Sequence, residues 1–156
     1  MDAYNLQQET EPIYGYRYFR MYQGLDGKTE EGLVGDSPFL VIWDKPYMQA
    51  QCMVVGSDRY ATCEQHLLET ILPYPYNRSC GCGIYLKKSY QEAFEYGYSL
   101  PYPRIIAYCK AWGICVEGTY GIRCQHVQVL GLESIDKYFI GREFWGLKVV
   151  DSKGFR

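Results

Sequence analysis

Aromatic and apolar residues crowd the stretch Tyr14 to Tyr22 (YGYRYFRMY), which predicts a strand. Gly24 to Gly35 is polar and rich in glycine, as a loop or hairpin connection is. Phe39 to Trp43 follows as a short apolar strand, stopped by Asp44, Lys45 and Pro46, and Ala50 to Val55 is a further candidate strand. The period then changes. Leu67, Leu68, Ile71 and Leu72 form one apolar face of a helix over Thr62–Leu72, opened by a capping box of Thr62 and Gln65 and ended by Pro73 and Pro75. Ser89 and Glu92 make a second capping box and start a helix that runs to Tyr98, beyond which Pro101 and Pro103 forbid continuation. Arg104 to Glu117 (RIIAYCKAWGICVE) is a long strand with a kink at Gly113. After a turn at Gly118 to Gly121, Ile122 to Leu130 is its antiparallel partner. Strict alternation there puts Ile122, Cys124, His126 and Gln128 on one face and Val127 and Val129 on the other. Leu132 to Phe139 reads as a short helix and Phe144 to Val150 as a last strand.

These elements predict an α+β fold, mainly an antiparallel sheet with two short helices. Residues 1–12 are polar and read as a disordered lead, and 13–156 as a single domain. Composition adds one unusual feature: 17 Tyr against 6 Phe and 3 Trp. Tyrosine suits a pleated surface, and it also suits a contact surface, because it keeps a hydroxyl at the tip of a large apolar ring. The net charge of −2 argues against a dedicated nucleic-acid binder, which carries a basic footprint. No apolar run reaches the length of a membrane span, and the first residues hold no apolar signal core. Seven cysteines without a secretion signal are expected as reduced thiols in the cytoplasm, some of them bound to metal.

The candidate chemistry lies in the middle of the chain. Cys80 and Cys82 are separated by one glycine and followed by another, in a loop rich in Pro and Gly. Two thiols so close cannot bridge each other in an ordinary disulfide, but both can face one metal ion from a tight turn. Cys52, Cys63 and His66 complete a set of five donors, of which a structural zinc needs four. Cys63 and His66 share a face of the first helix, so either can reach the turn. Buried free thiols, the alternative, account well for Cys109, Cys115 and Cys124 on strands, but poorly for the Cys-Gly-Cys-Gly loop.

The chain also resembles a family of small uncharacterised proteins of bacteria and their phages. The resemblance is carried by Gly-Tyr-Arg at 15–17, Trp43, Ala50 with Cys52, His66, Cys-Gly-Cys-Gly-Ile-Tyr at 80–85, Trp112-Gly113, Glu117 and Gly-x-Arg at 121–123. It spans Tyr14 to Leu130 and departs from the family pattern at Phe19, Leu86 and the residues after Arg123. It implies Cys52, His66, Cys80 and Cys82 as the zinc ligands, leaves Cys63 as the alternate, and brings no activity with it.

No nucleophile elbow, P-loop or dinucleotide fingerprint is present. Cys124 and His126 share a face of the predicted strand and are the one pair that suggests an enzyme, through a thiolate activated by imidazole. With three cysteines and one histidine to hand, the zinc site reads as closed and structural. The leading expectation is therefore a non-catalytic interaction protein, encoded by a phage or mobile element, that binds and inhibits or redirects a host protein. The expected contact surface is Tyr14, Tyr16, Tyr18 and Tyr22, whose even spacing places them on one strand face. The alternatives are a nucleotide or single-stranded RNA binder that stacks bases on tyrosine, and a Cys-His enzyme.

Overall fold

A computed structural model describes residues 5–8, 11–22, 32–34, 42–52, 58–69, 82–98, 104–119 and 121–152. In chain order the elements are β1 (Asn5–Gln8), β2 (Ile13–Tyr22), β3 (Gly32–Val34), β4 (Ile42–Trp43), β5 (Tyr47–Gln49), α1 (Arg59–Glu69), β6 (Ile84–Leu86), α2 (Tyr90–Tyr98), β7 (Ile105–Glu117), β8 (Ile122–Ser134), β9 (Glu143–Phe144) and β10 (Leu147–Asp151). The fold is α+β, and its pairings are antiparallel except that β10 runs parallel to β8.

The long hairpin β7–β8 is the spine. The first half of β7 pairs with β2 and the last four residues pair with β1, so one edge of β7 is satisfied along nearly all its length. The free edge of β8 is shared in the same way by β6, β5 and β10. Unpaired backbone groups on a buried strand are costly, which is why short segments from distant parts of the chain are recruited there. The same demand explains why residues 5–8, expected in a disordered lead, form β1 against Ile114–Glu117. The sheet also closes on itself. Lys87, just after β6, exchanges both backbone hydrogen bonds with Tyr16 of β2, at 2.8 and 2.7 Å. The ring β2–β7–β8–β6 encloses a core that includes Ile84, Leu86, Ala107, Cys109, Cys115 and Cys124.

The predicted strict alternation along β8 fails, because both members of the hairpin are bulged. Ile122 and Cys124 are buried, and so are Val127 and Val129. The shift occurs where Trp112 pairs with His126 but Cys115 pairs with Cys124, leaving one extra residue on β7. Gly113 takes φ +82° there, and the Gln125 side chain accepts a hydrogen bond from the Ile114 N–H at 3.1 Å. A second shift leaves Leu130 as the extra residue of β8, between Val129, opposite Cys109, and Gly131, opposite Tyr108.

Three elements differ from expectation. Helix α1 starts at Arg59 rather than Thr62, because Asp58 takes the cap: its Oδ1 accepts from the Ala61 N–H at 3.1 Å. Residues 70–72 of the expected helix lie outside the described residues. Of the strand expected over 50–55, residues 50–52 are not in a strand and 53–55 lie outside the described residues, while β5 begins directly after Pro46. The short helix expected over 132–139 is not formed. Leu132 and Ser134 are buried as part of β8, and Ser134 and Asp136 spend their side chains on the backbone of Arg104. The cap of α2 is as expected, with Ser89 Oγ accepting from the Glu92 N–H at 3.1 Å.

Candidate metal centre and aromatic face

Three of the four expected ligands converge. One donor atom each from Cys52, His66 and Cys82 lies within 4.8 Å of the others, and His66 Nδ1 is 3.1 Å from Cys82 Sγ. Each arrives by a different element. Cys52 follows β5, and its N–H donates to the Arg59 carbonyl at 2.9 Å, which ties it to the first turn of α1. His66 projects from α1 and is half-buried. Cys82 enters β6 through Gly83, whose φ of +106° only glycine holds easily. A Cβ on Gly83 would meet Arg123 Cβ at 2.9 Å and Leu67 at 3.0 Å, so the turn is wedged between α1 and β8.

Two buried thiols and an imidazole are a soft donor set, the kind that holds zinc. Donors sharing one tetrahedral zinc stand ~3.5 Å apart, a spacing of the order seen in this cluster. Cys80, the fourth expected ligand, lies outside the described residues. Cys63 is fully buried in the core and is not among the three converging donors.

The Cys124–His126 pair does not come together. The bulge turns Cys124 into the core, where it pairs with Cys115, while His126 is only half-buried. The hydrogen bond with Cys115, followed by burial, pushes the Cys124 thiol far above its ordinary range. Burial likewise pushes Cys109 up to about 12. His126 instead accepts or donates at Nδ1 to the Tyr47 hydroxyl, 2.8 Å away, and stacks on Trp112 at 5.5 Å and 11°. Burial lowers its pKa, against a smaller opposing pull from Glu64.

The even positions of β2 share a face, as expected, but they do not share an environment. Tyr14 is 48% exposed, while Tyr18 is 4% exposed, packed with Ala93 of α2 and edge-on to Tyr96. Tyr18 is therefore core rather than contact surface, because α2 covers that end of the sheet. The Tyr22 side chain lies outside the description. Beyond α2 the face stays open. Tyr14 stacks on Tyr108 at 5.7 Å and 12°, and Tyr16 leans on Tyr108 at 5.3 Å and 47°. Further along, Tyr47, His126 and Trp112 stack together across β5, β8 and β7, with Lys110 over Trp112 at 5.5 Å. The sequence reading missed this continuation. Its signal was present in the alternation of Tyr108, Lys110 and Trp112 along β7.

No helix among the described residues is long and apolar enough to cross a membrane. Comparison with known proteins finds no matching family model, no matching curated protein and no matching solved structure.

Proposed function

We propose that this is a non-catalytic interaction protein, clamped by a structural zinc ion and capturing a partner protein on its open aromatic sheet face. The observation that carries the reading is the exposure of Tyr14 and Tyr108, stacked on adjacent strands of an antiparallel sheet that α2 covers at one end only. Exposed Leu130 and Val150 extend the face with apolar area. Large rigid aromatics with polar tips give contact area at low entropic cost. The resemblance to phage and bacterial proteins points to a host protein as the partner, inhibited or redirected by capture, in the cytoplasm.

The ring arrangement favours a protein over single-stranded RNA. Tyr47, His126 and Trp112 already fill their faces against one another, with interplanar angles of 11° to 22°, so a base finds no free slot between them. The separation of Cys124 from His126 disfavours the thiolate enzyme.

The test is capture from host lysate by the parent protein and by a Tyr14→Ala/Tyr108→Ala variant, each with and without nuclease. One protein retained after nuclease and lost in the variant supports the reading. Capture that disappears with nuclease, or turnover of any substrate by the purified protein, overturns it.

A further inference from the structure

Gly131 lies in β8 opposite Tyr108 of β7, beside the bulged Leu130 and just before the pairing with β10 begins, yet its backbone does not require glycine. Its φ is not in the left-handed region, and a Cβ placed on it would meet no atom within 4 Å. Glycine inside a strand weakens it relative to alanine. Such a glycine marks a bulge, here the one at Leu130, or a place where a ligand approaches the sheet closely. Here the missing side chain leaves a groove of about 430 Å³ on the aromatic face, bordered by Tyr16, Tyr108, Leu130, Glu133, Lys148 and Val150.

The chemistry of the groove is that of a cation site. Tyr16 and Tyr108, in contact with one another at 5.3 Å, both border the groove, and electron-rich rings attract guanidinium and ammonium groups. Glu133 is half-buried and forms no ion pair with any described residue. It is close enough that, after burial and Tyr108, its charge raises the Tyr16 pKa. Lys148 also borders the groove, but it is exposed and does not pair with Glu133. Exposed Leu130 and Val150 supply an apolar rim.

We propose that this groove receives an arginine side chain presented by the partner protein, its guanidinium lying against Tyr108 and Tyr16 and paired with Glu133. The inference rests on the protein-capture reading and names the anchor that the face is built to take. Arginine suits the site better than lysine because its planar group stacks on an aromatic ring while its fork meets a carboxylate.

The probe is a blocked Leu-Arg-Val peptide titrated into isotope-labelled protein, followed by the backbone amide signals of Gly131, Leu132 and Glu133. A peptide with citrulline in place of arginine keeps the shape and removes the charge. We expect saturable shifts at those amides with the arginine peptide only. Glu133→Gln should weaken binding about tenfold, Lys148→Ala should tighten it, and Gly131→Val should fill the groove and abolish it while melting no lower than the parent. Should Gly131→Val fail to fold, Glu133→Gln decides alone. Equal binding of the citrulline peptide, an unchanged affinity in Glu133→Gln, or shifts at these amides from a short oligothymidylate instead would each overturn the proposal. Partner capture that is lost in Tyr14→Ala/Tyr108→Ala but intact in Glu133→Gln removes the arginine anchor and leaves the capture face standing.

Discussion

His66 Nδ1 lies 3.1 Å from Cys82 Sγ, and through that contact α1 is joined to the entry of β6. Cys52 brings the end of β5 to the same point. The three segments are otherwise held by short pairings, so a metal ion held there would fix the positions of two strands on β8 and of one helix.

Purified protein should carry about one zinc ion per chain by elemental analysis, without added metal. Cys52→Ser, His66→Ala and Cys82→Ser should each lower stability by several kcal/mol, since the binding free energy of a metal held there would be folding free energy. Cys63→Ala should keep the zinc and lose only core packing, about 1–2 kcal/mol. A metal-free protein whose melting temperature ignores chelator would reject the site.

Gly113→Ala should destabilise by about 1–3 kcal/mol, because φ +82° is strained for alanine. Its Cβ would also stand 2.6 Å from Gln125 Oε1 and 2.8 Å from His126 Cδ2. The neighbouring change Gln125→Leu removes the acceptor for the Ile114 N–H and should cost about 1 kcal/mol by urea unfolding.

The same residue shows what the sequence could and could not convey. A glycine inside an apolar strand marked a kink at 113, and the two strands around it were legible from their aliphatic and aromatic residues. The register shift was not, because a bulge is a relation between two strands and leaves no mark on either alone. That one missing residue of register is why Cys124 and His126 read as neighbours. Tyr18 failed for a related reason: period two assigns a face, but only tertiary packing decides that α2 lies over one end of it. The convergence of Cys52, His66 and Cys82 as candidate donors was legible because donor chemistry and a glycine turn are local properties.

Alkaline pH should unfold the protein through its core thiols. Burial raises the folded pKa of Cys109 from 9.0 to about 12, so the folded state holds this proton more tightly than the unfolded chain. The resulting stability is complete below about pH 9 and is lost as pH rises toward about 12. Melting temperature followed over that window should fall in the parent and fall less steeply in Cys109→Ala. Below it, Cys109 and Cys124 should resist thiol reagents until the chain is unfolded.

Tyr14 and Tyr18 lie on the same face of one strand and should answer truncation in opposite ways. Tyr18 is 4% exposed and packs beneath α2 with Ile106 and Ala93, so Tyr18→Ala opens a cavity and should cost roughly 3–5 kcal/mol, as large core truncations do. Tyr14 is 48% exposed and touches mainly the ring of Tyr108, so Tyr14→Ala should cost about 1 kcal/mol or less. Urea denaturation of the two variants measures both numbers with one method. Equal losses would mean that the open face is packed against something after all, and the capture reading would lose its surface. The expected inequality leaves Tyr14 and Tyr108 as residues whose large rings are retained on the surface at little benefit to folding. Binding experiments with Tyr14→Ala/Tyr108→Ala can then be read directly, because a variant that keeps its fold and loses its partner has lost contact area and nothing else.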